Sequence, residues 1–221
     1  GIAGYGMAVL GTSSSAEISL GWPWWVAVPA AVAVAVVCAT LIGWLSVRTE
    51  GVYFVVVTLA FAQMAYYVVH DTPLGGGTDG IYLNVKPSVL GPIDLDKPLV
   101  FYAFTLAWLA IVFVFLAVLL RSRFGRALAG IRVNEQRMRA TGFPTFWYKL
   151  AAFVIAGALA GLAGFLVAAR DGVVNPEMLS WHISGEVLLM VILGGIGHLR
   201  GAVLGAIVFT LLKELLSAHA L

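Results

Sequence analysis

The chain has 221 residues, of which 61% are hydrophobic and only 11% charged, with a formal net charge of +2 and a mean hydropathy of +0.98. A soluble domain carries roughly 25% charged residues, so this composition leaves too little polar surface to cover a water-exposed globule. The basic residues concentrate in one connector between apolar runs, which excludes a nucleic-acid partner, and the single Cys38 excludes an intrachain disulfide.

In chain order, residues 1–11 are apolar and small, with no charged n-region before them. They read as the end of a span that begins earlier and not as a signal peptide, which makes the chain a fragment lacking N-terminal spans. Residues 12–20 are a polar loop. Trp22, Trp24 and Trp25 then mark a membrane interface. Residues 22–44 carry no charge and are long enough to span with some tilt; Pro29 lies inside this run as a potential kink. Arg48 and Glu50 form a short polar turn. Residues 52–69 form a second uncharged run, about 27 Å long at the helical rise, holding Thr58 and Gln63.

Residues 70–98 are polar, with four aspartates, four prolines and five glycines, which exclude a long helix. A third span covers 99–120 and a fourth 150–169. In the latter, Gly157 and Gly161 form a G-x-x-x-G pair and Gly164 continues the small face, which suits close helix packing in lipid. Residues 170–185 read as a loop, followed by two apolar pieces, 187–197 and 202–212, split by His198 and Arg200. Neither piece spans alone. They form either a hairpin or broken helix, with Gly194, Gly195 and Gly197 at the bend, or one tilted helix with a polar middle.

The connector 121–149 holds Arg121, Arg123, Arg126, Arg132, Arg137, Arg139 and Lys149 against one acid, Glu135. By the positive-inside bias it is cytoplasmic. Placing it inside with Arg48 and Arg200 puts nine basic residues there, against Lys86, Lys97 and Arg170 outside. Residues 127–140 are rich in helix formers, and Gly142 and Pro144 supply a stop. The connector thus contains a surface helix, read either as an orientation signal or as a docking element. Continuous apolar runs favour helices over a β-barrel. The fold class is therefore all-α, a polytopic transmembrane helix bundle, with residues 1–221 as one domain.

Absent motifs narrow the chemistry. No G-x-x-x-x-G-K-[ST] is present, so the chain has no such phosphate cradle, and no H-E-x-x-H either. No catalytic residues, metal or cofactor are expected. Asp79 and Glu186 lie near predicted membrane edges, and the span centres are free of ionisable residues, which argues against a proton-driven carrier.

Four stretches resemble the permease subunits of bacterial ABC importers for branched-chain amino acids, the LivM type. They are GVYFVVVTLAFAQM (51–64) with LGGGTDGI (74–81), SRFGRALAGIRVNEQRMRATG (122–142), KLAAFVIAGALAGLAGFL (149–166) and SGEVLLMVILGGIGHLRGAVLGA (184–206). His198 after GGIG, with Arg200, departs from the small or polar residues usual there. The resemblance implies the importer permease fold. It also implies a bacterial cytoplasmic (inner) membrane location and leucine, isoleucine or valine as substrate. Its implied partners are two cytoplasmic ABC ATPase subunits, a second related permease subunit and an extracytoplasmic substrate-binding protein, with membrane lipid around the bundle. ATP hydrolysis would then reside in the separate ATPases. Urea, short amides or other amino acids are alternative substrates, and an ATP-independent channel or membrane scaffold is the alternative of another class.

The resemblance also assigns roles. Arg132, Asn134, Glu135, Arg137 and Gly142 match the loop that docks on the ATPase; self-pairing of Glu135 with Arg132 and Arg139 along one helix is the alternative. Gly76, Gly77, Thr78 and Asp79 are a candidate outer gate or binding-protein contact, or else a plain turn. Thr58, Gln63 and Glu186 are candidate pathway residues, although Thr58 and Gln63 point about 140° apart on an ideal helix. Ser184 before Glu186 reads as a helix N-cap followed by an acid in the first turn.

Overall fold

A computed structural model describes residues 1–10, 24–49, 51–71, 80–82, 88–90, 93–94 and 97–219. Long uncharged runs have no water with which to satisfy backbone polar groups in lipid, so they satisfy them internally as helices. Among the described residues, four helices are long and apolar enough to cross a membrane: α2 (Trp24–Ser46), α3 (Val52–Asp71), α4 (Pro98–Arg121) and α7 (Thr145–Asp171). Ahead of them lies α1 (Ile2–Leu10). Between α4 and α7 sit α5 (Arg123–Val133) and α6 (Glu135–Ala140). The chain closes with α8 (Trp181–Gly194) and α9 (Leu199–His219), bent by 114° between them. The protein is a polytopic helical bundle.

The core is α1, α2 and α7. In α1, Ala3, Tyr5, Met7 and Ala8 are buried, and Met7 packs with Ala31 of α2 and Phe165 of α7. The small face of α7 explains the close approach to α2. A Cβ on Gly157 would lie 2.5 Å from Cβ of Ala39, and one on Gly161 would lie 3.2 Å from that of Ala35. Without the hydrophobic effect between helices in lipid, such small faces permit the van der Waals contact that holds them. Gly164 faces α1, beside the nitrogen of Gly1. In contrast, α3, α4 and α8 bury no residue.

One end of the bundle is closed by a two-stranded pairing. β1 (Ile81–Tyr82) runs antiparallel to β4 (Val173–Val174), with Ile81 opposite Val174. Both side chains are fully buried against Tyr5, Ala8 and Ala168. A second hairpin pairs β2 (Ser88–Leu90) with β3 (Ile93–Asp94).

Several boundaries differ from the sequence expectations. The single connector helix over 127–140 is two helices broken at Asn134, whose φ of −158° is extended. α7 starts at Thr145, placing Lys149 on the helix and not in the loop. The presumed loop 170–185 contains β4, a 3-10 turn (Pro176–Leu179) and the start of α8. Ser184 is consequently not an N-cap. Ser180 is, accepting a hydrogen bond from the His182 N–H at 3.2 Å, and Glu186 lies beyond the first turn. The two final apolar pieces fold as a bent pair and not as one tilted helix.

Candidate functional site

The connector is built by three local devices. Ser122 ends α4 and caps α5, its Oγ accepting from the Gly125 N–H at 3.4 Å. Asn134 is shared between two helices. Its backbone N–H closes α5 on the Gly130 carbonyl, and its side-chain oxygen accepts from the Arg137 N–H at 2.9 Å to open α6. An Asn side chain competes well for such orphan amides, which is why the helix breaks there. At the far end, Gly142 at φ +86° donates to the Arg139 carbonyl and Phe143 to the Met138 carbonyl. This paired closure requires a left-handed residue, a role that suits glycine.

Glu135 is the electrostatic centre of the segment. Lys149 Nζ on α7 lies 2.8 Å from Oε1 and 2.9 Å from Oε2. Arg139 Nη2 lies 2.7 Å from Oε1. The Thr145 hydroxyl donates to the same oxygen at 3.1 Å and accepts from Arg139 Nε at 3.0 Å. Thr145 is buried, and the side chains of Glu135 and Lys149 are only 22% and 24% exposed. Partial burial opposes ionisation of Glu135. Hydrogen bonds from Lys149 and Arg139, the Lys149 charge and the Thr145 hydroxyl outweigh it, so the carboxyl titrates below its ordinary value.

The predicted pairing of Glu135 with Arg139 is present, while no contact with Arg132 occurs among the described residues. Lys149 and Thr145 are the partners that sequence reasoning missed. They lie 14 and 10 positions away across a turn, beyond the reach of a helix-spacing rule, and only the Gly142–Pro144 stop hinted that the chain doubles back.

With Glu135 turned inward, the outward face of the connector is basic. Arg121, Arg123, Arg126, Arg132 and Arg137 are exposed, and no other acid lies within 121–149. At the break between α5 and α6, Val133 is 85% exposed, the most exposed large hydrophobic residue among those described. Beside the network, α5, α7 and the α2–α3 turn enclose an open cleft of about 440 Å³ lined by Val47, Thr49, Phe54, Leu128, Glu135 and Lys149. Arg48 closes the same end of the bundle, its guanidinium 5.3 Å from the Trp44 ring and 5.9 Å from that of Phe146.

Among the described residues, the other predicted ones do not converge on one site. Thr58 bonds its own helix, to the carbonyls of Phe54 and Val55 at 3.0 and 2.9 Å. Gln63 is half-buried on α3. Glu186 meets Lys213 of α9 at 3.2 Å. Gly194 packs against the backbone of Gly201 and Gly205, and Gly195 and Gly197 turn the chain at φ +95° and +122°. Gly76, Gly77, Thr78 and Asp79 lie outside the described residues. Among the described residues, no group of three His, Cys, Asp or Glu could hold a metal ion.

Apolar helices of spanning length around a basic, capped connector define a multi-pass α-helical membrane protein. Its family is defined by sequence: residues 2–220 match the profile of the family described as "Branched-chain amino acid transport system / permease component", and the chain belongs to that family. It is 30% identical over 220 residues to the high-affinity branched-chain amino acid transport system permease protein LivM of Escherichia coli (strain K12), covering 89% of this chain and 52% of that one. It is 32% identical over 147 residues to the autoinducer 2 import system permease protein LsrC of Escherichia coli O9:H4 (strain HS), covering 63% of this chain and 42% of that one. The chain spans about half the length of the curated relatives it matches. No solved structure matches it.

Proposed function

We propose that this chain is the membrane-spanning subunit of an ATP-driven importer of branched-chain amino acids in a bacterial inner membrane. It forms part of a pore with a second, related permease subunit. Two cytoplasmic ATPases drive it, and an extracytoplasmic binding protein delivers the substrate. The observation that carries this reading is the connector. A capped, doubly helical element with an exposed apolar tip at Val133, flanked by exposed Arg132 and Arg137 with no acid partner in the segment, offers a compact surface for an acidic, cytoplasmic partner. An ATP-independent channel has no need of such an element.

The test is co-purification of the ATPases with the full-length permease expressed beside its own partners. Arg132→Glu with Arg137→Glu is expected to abolish recovery of the ATPases while leaving the permease in the membrane. Undiminished recovery contradicts the docking role. The relationship to the LsrC protein supports a second reading of the substrate alone, in which autoinducer 2 replaces the amino acid. Uptake of labelled leucine, challenged with unlabelled valine and with autoinducer 2, separates the two.

A further inference from the structure

Docking explains where an ATPase would push, but not how a push on a six-residue helix would reach the spans. α6 is too short to persist as an isolated helix, so its orientation is set by what holds it. On one side, Met138 packs over Gly130 of α5, with Sδ 2.9 Å from where a Cβ would stand. On the other side, the hold is polar. Glu135 begins α6, Thr145 begins α7, and Lys149 lies one turn further along α7. Glu135, Arg139 and Thr145 close a ring of three hydrogen bonds, and Lys149 grips both oxygens of the same carboxylate.

What lies beyond Lys149 is stiff. On the following turns α7 meets α2 through Phe153 and Leu150 over Gly43, then Gly157 over Ala39 and Gly161 over Ala35. These contacts set the two helices directly against each other, as small-residue faces permit, so a shift of α7 meets α2 at once. Stacking of Phe124 on Tyr148, at 5.6 Å, ties α5 to the same turn of α7. The open cleft of about 440 Å³ flanks the Glu135–Lys149 pair, so the side chains are free of packing on that side and their connection to α6 is chiefly polar.

We infer that Lys149 and Thr145 are positioning residues that fasten α6 to α7, so that displacement of α6 by a bound ATPase moves α7 and α2 as one body. Glu135 is thus the inner anchor of the connector and not part of its outward docking face. The inference rests on the proposed docking of an ATPase, which it deepens by naming the residues through which that docking acts.

The test uses the full-length complex, reconstituted in vesicles with leucine-loaded binding protein, and measures leucine imported per ATP hydrolysed. Lys149→Met removes the grip on the carboxylate, and Thr145→Val removes one hydroxyl at nearly constant volume. Both variants are expected to retain the ATPases and to hydrolyse ATP. Leucine moved per ATP should fall about tenfold for Lys149→Met, within the range of ordinary couplings between sites, and less for Thr145→Val. Lys149→Arg, which keeps a donor cation in reach, should recover most of the loss, a rescue that simple destabilisation of the fold does not predict. Import per ATP at the wild-type value in both variants overturns the inference while leaving the proposed function intact. If Lys149→Met fails to assemble, an unchanged ratio in Thr145→Val overturns it equally. A wild-type complex that imports no leucine overturns the proposed function itself, and the inference with it.

Discussion

The backbone of Gly80 lies directly against the carbonyl oxygen of Val174, so close that no side chain fits between them. Gly80 also sits at φ +73°, in the left-handed region. Both facts follow from the pairing of Ile81 with Val174, which buries two apolar side chains at the end of the bundle. Gly80→Ala is expected to cost about 1–2 kcal/mol from backbone conformation alone, with the steric clash added. Hydrogen exchange at 81–82 and 173–174 should accelerate together, and the thermal midpoint of the purified protein should fall. Unchanged exchange at both strands contradicts this account of the glycine.

The contact between α7 and α2 makes a second, paired prediction. Gly157→Ala places a methyl group 2.5 Å from Cβ of Ala39, and overpacking of this kind costs about 1–3 kcal/mol. Gly185→Ala adds the same methyl group on α8 where nothing lies within 4 Å. That change should be neutral or slightly stabilising, since alanine favours a helix by up to about 1 kcal/mol over glycine. Comparison of the two thermal midpoints in one detergent checks the pair.

Titration of Glu135 gives the third. Its folded-state carboxyl titrates below the ordinary value of 4.5, through Lys149, Arg139 and Thr145 acting against partial burial. The depressed value means that the unfolded chain binds the proton first as pH falls. The contribution to stability is therefore complete above about pH 4.5 and is lost as pH falls through the folded value. Glu135→Gln should lower the thermal midpoint at pH 7, and the gap from wild type should narrow toward pH 4. A gap independent of pH contradicts the ionic nature of the contact.

The break at Asn134 supplies a fourth. Removing the side-chain cap in Asn134→Ala leaves the Arg137 N–H without its partner, at a cost of about 1 kcal/mol. Amide exchange should accelerate at Arg137 and through α6, while α5, capped by Ser122 at its other end, stays protected. Exchange rates unchanged in α6 contradict the capping role.

Much of the architecture was legible in the sequence because lipid imposes one rule: an uncharged run of spanning length must be helical. Where they are described, the runs at 22–44, 52–69, 99–120 and 150–169 fall on α2, α3, α4 and α7. Gly142 was legible as a stop because few residues other than glycine turn left-handed there. The break at Asn134 was not, because helix formers on both sides favour continuity and only the side-chain bond to Arg137 decides against it. The grip of Lys149 on Glu135 was hidden for a different reason. It depends on how a four-residue turn folds α7 back beside α6, a tertiary fact with no periodic trace. The early start of α8 was masked by polar residues, since Asn175 caps the 3-10 turn and Ser180 caps α8 directly after it, and the two do not belong to one continuous loop.

The central claim is that the connector's outward face meets an ATPase. The most direct measurement places a photo-crosslinking amino acid at Val133, the exposed tip between α5 and α6, in the full-length permease expressed with its own partners. The account predicts a crosslink to the ATPase subunit that is lost when Arg132 and Arg137 are both reversed to glutamate. A complex that contains the ATPase but yields crosslinks from position 133 only to lipid or to another permease subunit would contradict it.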